Sequence, residues 1–177
     1  MTQLELLQKL NESLVSTNLN KVTAEGPGFK DLPDGYYNCE LVEAVLKETK
    51  TGKPMITGKF KVFEDGLKNI FNETTGNFEL TLSENSKGRL IWINWVISDS
   101  SSVERFVSDM KKFEDSDGNP ILPTEAFTEA SILLDSLEAI KGMHVYIMLQ
   151  TIEKNGEQNQ RSNLISWSRA KNLELPL

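Results

Sequence analysis

Apolar and polar residues alternate with a period of two in several stretches of the chain. The clearest stretch is RLIWINWVI, in which Ile91, Ile93 and Trp95 fall on one face while Trp92 and Asn94 fall on the other. The other stretches are rich in strand-favouring residues, and several are bounded by glycine turns. The five predicted strands cover residues 36–49, 54–63, 89–97, 143–153 and 161–169.

Helical spacing of apolar residues appears at the N-terminus and again between the third and fourth predicted strands. Thr2 and Glu5 form a capping box ahead of leucines at positions 4, 7, 10 and 14, which predicts an amphipathic helix over residues 1–18. Two further helical patterns cover residues 100–113 and 123–142.

The order of these elements favours one fold class. Residues 19–34 predict a linker rich in glycine and proline, and residues 64–82 predict a loop or short irregular strand. The rest predicts a mainly β protein with inserted helices, an α+β fold. We expect an OB-like five-stranded barrel over residues 35–171, with the helices between strands three and four, followed by a tail at residues 172–177.

Positive charge is concentrated in a short part of an acidic chain. The 177 residues carry a net charge of -7, yet residues 47–61 hold five lysines and one acidic residue, a local charge of +4. Residues 141–171 carry +3, whereas residues 62–140 carry -9. These counts predict a basic hairpin on an acidic body rather than a protein coated with positive charge.

Residues suited to metal, disulfide or covalent chemistry are scarce. Cys39 is the single cysteine and His144 the single histidine, which predicts no metal site, no disulfide and a reducing, cytoplasmic setting. Nucleophile elbows, phosphate-cradling glycine loops and paired-histidine motifs are missing. We therefore expect neither catalytic residues nor a cofactor. No apolar run predicts a membrane span or a secretion signal.

The predicted sheet combines lysines with aromatic side chains that face away from its core. A groove for single-stranded nucleic acid needs cations for the phosphates and exposed rings on which unpaired bases stack. Period-two geometry places such residues on the outward faces of strands two, three and four. Three further lysines flank the first hairpin turn, and Arg161 begins the last strand. The candidate nucleic-acid-binding residues are Lys47, Lys50, Lys53, Lys59, Lys61, Phe63, Trp92, Asn94, Tyr146 and Arg161.

Each of these features also has a purely structural explanation. Hairpin lysines solvate and protect a sheet edge, and tryptophans at strand centres are more often core residues than ligand platforms. Trp95 is expected in the core because it shares its face with isoleucines. For Trp92 the pattern favours neither a core position nor a ligand platform. The combination of a basic hairpin, outward aromatic residues and barrel-like order favours binding.

The run LPDGYYNCELVEAVLKETKTGKPMITGKFKV shows a further pattern. A proline-glycine-tyrosine start leads into an alternating strand, and a Lys-x-Gly turn leads into Met-Ile and a second strand. The matching positions are Pro33, Gly35, Tyr36, Lys50, Gly52, Lys53, Met55 and Ile56, with Lys141 and Gly142 at a later helix end. Over residues 32–63 and 137–168 the chain resembles phage-encoded single-stranded DNA-binding proteins of replication and recombination modules.

The resemblance implies an OB-like fold and sequence-tolerant binding of single-stranded DNA in phage replication or recombination, in the host cytoplasm. Phage or host replication and recombination proteins are the implied partners. The N-terminal helix lies outside the resembling segments. We expect it to pack on the barrel, to join copies into a homo-oligomer or to bind such a partner.

Two other functions compete with DNA binding. One is a non-enzymatic adaptor, or a phage inhibitor of a host nucleic-acid-binding factor, whose acidic surface from residues 64–138 mimics nucleic acid. The other is a nuclease or other hydrolase, which would require clustered carboxylates, and the sequence alone leaves open whether any are adjacent.

Overall fold

The computed structural model describes residues 2–16 and 31–177 of the chain. Internal contacts divide the chain into two units, with the boundary between Asp31 and Leu32. Most of the linker predicted over residues 19–34 lies outside the described residues. None of the helices in the described ranges is long and apolar enough to cross a membrane.

The first unit contributes helix α1, Gln3–Ser16. The predicted capping box is present: the Thr2 amide donates to Glu5 Oε2 at 2.7 Å, and the Glu5 amide donates to Thr2 Oγ1 at 3.2 Å. Both bonds satisfy amides that have no acceptor within the helix. The predicted N-terminal helix is thus present over residues 3–16, and its remaining predicted residues lie outside the described part.

The second unit is mainly β and contains one open antiparallel sheet of seven strands. The strands are β1 (Gly35–Glu48), β2 (Pro54–Val62), β3 (Gly66–Asn72), β4 (Asn77–Ser83), β5 (Leu90–Val96), β6 (His144–Lys154) and β7 (Glu157–Ile165). The helices are α2 (Ser100–Met110), α3 (Ala130–Ala139) and α4 (Trp167–Asn172), with a 3₁₀ turn at Thr124–Phe127. The predicted class, mainly β with inserted helices, is confirmed.

Strand β1 organises the sheet because it pairs with three other strands. Residues 39–48 pair with β2, which pairs in turn with β5. Residues 35–40 pair with β6, which continues into the hairpin with β7. Gly35 and Tyr36 also pair with β3. Two arms therefore share β1: the first arm is β2 with β5, and the second arm is β6 with β7.

Alternation along the strands turns one face of each arm toward a common core. Phe60 of β2 and Ile147 of β6 are wholly buried there, and α3 contributes Leu137. Trp95 of β5 is also in this core, as predicted, and its indole N–H donates to Asp109 of α2 at 2.8 Å. The core thus fixes which residues of each strand face outward.

The N-cap of helix α2 lies one residue before the serine run that was predicted to supply it. Asp99 is the N-cap residue: its Oδ1 accepts from the Ser102 amide at 2.8 Å, while Ser102 Oγ accepts from the Asp99 amide at 3.0 Å. This reciprocal pair satisfies two backbone donors at the start of the helix.

Three fold predictions were wrong. Residues 64–82 form most of the β3–β4 hairpin instead of a loop or one short irregular strand, which raises the number of strands from five to seven. The helix predicted over residues 123–142 is divided into a 3₁₀ turn and α3. The strand predicted over residues 161–169 ends at Ile165, because Ser166 accepts from the Arg169 amide and starts helix α4.

Candidate nucleic-acid interface

Most of the predicted binding residues lie on the solvent side of the first arm and the adjoining part of β1, a surface that we call the outer face. Strand register arranges its residues in rows that cross β1, β2 and β5, and successive rows are roughly 7 Å apart at the usual rise of a strand. The rows are Glu40, Lys61 and Leu90; Glu43, Lys59 and Trp92; Val45, Thr57 and Asn94; and Lys47, Met55 and Val96.

Trp92 is at the centre of the outer face and is 53% exposed. Its neighbours on β5, Ile91 and Ile93, are buried, so strand alternation directs the indole outward. The Lys59 ammonium lies 5.3 Å from the centroid of the indole ring, within the range of a cation–π contact. An aromatic surface and a cation are therefore presented side by side.

Lysine charge on the outer face is opposed by glutamates of β1. Glu43 pairs across strands with Lys59, and Glu40 pairs with Lys61. Even so, neither lysine forms an ion pair within 4.0 Å with a carboxylate of the described residues. Both ammonium groups thus keep their capacity to bind phosphate, and Lys47 near the end of β1 lies opposite the uncharged Met55.

The turn between β1 and β2 holds Lys50 and Lys53 beside this end of the outer face. The Thr49 amide donates to the Lys53 carbonyl at 2.8 Å, and the Lys53 amide donates to Thr49 Oγ1 at 3.0 Å. Gly52 supplies the positive φ, 82°, that the turn requires. Both lysines are exposed, as predicted.

Phe63 extends the outer face past the end of β2, and its ring is 51% exposed. The ring meets His144 of β6 edge-on, with centroids 4.6 Å apart, and His144 Nδ1 lies 3.1 Å from Asn38 Oδ1. Phe63 also lines a groove of about 640 Å³. The other lining residues are Glu40, Lys61, Val62, Glu64, Lys87 and Gly88.

Lys87 and His144 belong to this end of the site but are not among the predicted binding residues. Hydrogen bonds of the residues that follow Lys87 hold it beside the end of β2. The Gly88 amide donates to the Val62 carbonyl at 2.8 Å, and the Val62 amide donates to the Arg89 carbonyl at 2.9 Å. No local pattern signals that approach. His144 could have been found, because strand alternation places it on the outward side of β6.

Tyr146 was predicted to be a stacking platform, and that prediction was wrong. The side chain is only 3% exposed and packs in a small cluster with Ile165 and Leu175, with the Trp167 ring edge-on at 5.4 Å. Its hydroxyl donates to the Pro176 carbonyl. Burial, with a smaller contribution from the Glu64 carboxylate, raises the pKa of Tyr146 to about 12, so the hydroxyl stays protonated.

Asn94 belongs to the outer face, whereas Arg161 does not. Asn94 Oδ1 accepts from the Thr57 hydroxyl at 2.8 Å, which leaves the amide NH₂ group for other partners. Arg161 is exposed but pairs with Gln150, one step beyond the last pair between β1 and β6. It therefore lies near the start of β1, roughly 40 Å along the strand from Lys47.

The described residues offer little to metal or nucleophilic chemistry. Within residues 2–16 and 31–177, no three His, Cys, Asp or Glu side chains are grouped so that they could hold a metal ion. Cys39 is wholly buried, and burial raises the pKa of its thiol, which disfavours the reactive thiolate. The outer face instead combines ammonium groups and exposed rings, which suits an anionic ligand with planar groups.

Comparison with known proteins assigns no family to this arrangement. A scan of the sequence against protein-family models finds no match, and a search of curated proteins finds no significant relative.

Proposed function

We propose that this protein binds single-stranded DNA along the outer face. The observation that carries the proposal is the half-exposed Trp92 indole with the Lys59 ammonium 5.3 Å from its centroid. Unpaired bases stack on exposed aromatic rings, and lysines beside the rings bind the phosphates. Lys61 continues the cationic line in the next row.

The spacing of the outer face suits an extended strand of nucleic acid that runs along β2. Lys59 and Lys61 are two residues apart, roughly 7 Å, and Phe63 lies two residues further on. The two exposed rings, of Trp92 and Phe63, are therefore separated by roughly 13 Å along the strand direction. Stacking on these rings is tolerant of base identity, because every base has a π-face.

The fold type in this proposal is an OB-like barrel. If the β3–β4 hairpin is counted as an insertion, the remaining strands run in the order β1, β2, β5, β6, β7, and α2 and α3 fall between the third and fourth of them. Residues of β5, β7 and α2 line one cavity of about 320 Å³. That shared cavity supports the proposal that β5 and β7 approach each other at the barrel seam. OB folds use the face of their second and third strands for nucleic acid.

The biological setting in this proposal rests on the resemblance of residues 32–63 and 137–168 to phage single-stranded DNA-binding proteins. It comprises phage DNA replication or recombination in the host cytoplasm, without catalysis or a cofactor. Phage or host replication and recombination proteins are the proposed partners.

Anisotropy of a labelled oligo-dT strand, titrated with the protein at about 50 and 200 mM salt, tests the proposed function. Three to five lysine–phosphate contacts predict a slope of log affinity against log salt of roughly -2 to -3.5. We expect a duplex of the same length to bind much more weakly. Absence of binding at 50 mM salt would contradict the proposal and would favour the adaptor with an acidic surface.

Trp92→Ala should weaken oligo-dT binding by about 5-fold to 150-fold, the loss expected when stacking worth about 1–3 kcal/mol is removed. The salt slope should not change, since no phosphate contact is lost. Trp92→Phe keeps a ring and should restore most of the affinity. Equal affinity of Trp92→Ala and the parent protein, with unchanged circular dichroism, would exclude Trp92 as a stacking platform.

A further inference from the structure

The β3–β4 hairpin carries an apolar surface that the proposed function does not use. Its strand register sorts the side chains onto two faces. One face, which we call the apolar face of the hairpin, has Leu67, Asn69, Phe71, Phe78, Leu80 and Leu82. The opposite face has Lys68, Ile70, Asn72, Asn77, Glu79 and Thr81. The hairpin is thus amphipathic, as a sheet is when one face is covered.

Most of the apolar face is exposed. Phe71, Phe78, Leu80 and Leu82 are each between 43% and 66% exposed, and the two phenylalanine rings meet edge-on at 5.2 Å. Together these four side chains expose roughly 400 Å² of apolar surface, which is in the range of patches that mark interaction sites. Leu67 continues the face into the buried cluster around Tyr146.

The edge of β4 is open as well. β4 is the terminal strand on its side of the sheet, and no strand among the described residues pairs with its outer edge. It has seven residues, no proline and one charged residue, Glu79. By contrast, β5 packs beside α2, and β7 presents mostly polar side chains such as Gln158 and Asn159. An apolar strand with unpaired backbone groups is a template for another strand.

We propose that β4 pairs antiparallel with β4 of a second copy of this chain, about a two-fold axis at Leu80. In this register Leu80 lies opposite Leu80 of the second copy, and Phe78 lies opposite Leu82. Glu79 lies opposite Thr81, whereas an axis at Glu79 would place two glutamates directly opposite each other, which is destabilising. The same strand edge meets itself, as a two-fold interface requires.

The size of the proposed interface predicts a weak dimer. Edge-to-edge pairing places the two apolar faces side by side on one face of a continuous sheet, so only the flanks of neighbouring side chains become buried, far less area than in a standard stable interface. Backbone hydrogen bonds along the paired edges add to this. The hairpin joins β1 at Gly35 and Tyr36, whereas the lysines of the β1–β2 turn are at the other end of β1. Each copy therefore keeps its outer face open, and the dimer does not depend on the proposed function.

Sedimentation equilibrium of the full chain at about 1 to 200 μM, which spans weak and standard affinities, tests the dimer. We expect the mass to rise from 20.0 kDa toward about 40 kDa, twice the chain mass. Leu80→Lys places two ammonium groups directly opposite each other at the axis and removes the Leu80 pair, so it should raise the dimer Kd about tenfold. Ile70→Lys is the matched control, because Ile70 is equally exposed, 43%, on the opposite face of the hairpin.

Disulfide trapping tests the register. Leu80→Cys puts two cysteines opposite each other at a Cα separation of about 4.5–5.5 Å, which a disulfide spans, and the buried Cys39 does not compete. We expect a covalent dimer from Leu80→Cys and none from Glu79→Cys. A parent protein that stays at 20.0 kDa throughout, or equal dimer Kd values for Leu80→Lys and Ile70→Lys, would overturn the proposal.

Discussion

Oligo-dT binding at 50 mM salt should weaken by at least about sixtyfold when Lys59 and Lys61 are both changed to glutamate. Each phosphate contact on a single strand contributes about 0.7 to the salt slope, which corresponds to about eightfold in affinity between 1 M and 50 mM salt. Loss of two contacts therefore costs about sixtyfold, and the introduced carboxylates add repulsion. The slope itself should become shallower by about 1.4.

A matched control separates the outer face from the charge of the whole molecule. Lys111 and Lys154 are also exposed but lie at the end of α2 and at the end of β6. Each reversal changes the net charge by two units, so both double variants go from -7 to -11. We expect the Lys111→Glu/Lys154→Glu variant to bind within about threefold of the parent, since distant charges are screened. Equal losses in the two variants would show that the outer face is not the phosphate contact.

Phe60→Ala should lower the free energy of unfolding by about 3–5 kcal/mol, the usual cost of removing a buried aromatic ring. Phe60 is 0% exposed and lies between Leu41 of β1 and Ile91 of β5 in the register of the sheet. The cavity left by the ring would lie directly beneath the outer face, and little of the surrounding sheet can relax into it. Urea unfolding followed by circular dichroism measures the loss.

Phe63→Ala is the control for that experiment. The Phe63 ring is about half exposed, so its removal should change the free energy of unfolding by less than about 1 kcal/mol while it weakens oligo-dT binding. The two variants, only three residues apart in the sequence, would then separate an effect on stability from an effect on binding. Similar losses of stability for the two variants would mean that Phe63 is a packing residue rather than a part of the binding face.

The outer face of the first arm was predictable because alternation alone decides it. In β5 the buried residues Ile91, Ile93 and Trp95 leave Trp92 and Asn94 only the solvent side. The hairpin lysines were equally predictable, because residues 49–53 form a local turn with its own glycine. Predictions of this kind need only neighbouring residues and the period of the element.

Tyr146 could not be predicted in the same way, because both faces of β6 are covered. One face meets the core, and the other meets α4 and the C-terminal residues, including Leu175. Ser166, the N-cap residue, was the available signal for α4. The alternation of Ile165, Ser166 and Trp167 fits a strand equally well. Burial by a distant segment is a tertiary effect that alternation cannot reveal.

The β3–β4 hairpin was missed for a different reason. Phe71 and Phe78 pair directly across the turn that contains Gly76, so the pattern of a hairpin is present in the sequence. The alternation was obscured because asparagines occur on both faces of the hairpin. Asn69 lies on the apolar face, and Asn72 and Asn77 lie on the opposite face. Apart from Leu67, which packs against the cluster around Tyr146, the apolar face of the hairpin lies outside the core clusters of the described residues. Lys87, which follows this hairpin, lies at the outer face because Gly88 and Arg89 are hydrogen-bonded to Val62.

The crossing of the two arms on β1 has a consequence for how the protein unfolds. Cys39 pairs with Val62 on one side and Val145 on the other, and Glu40 pairs with Lys61 and His144. Detachment of either arm would leave the backbone groups of these β1 residues unpaired on one side, in the middle of the core. The arms should therefore melt in one cooperative transition, and amide hydrogens at this crossing should exchange with solvent only when the whole unit opens.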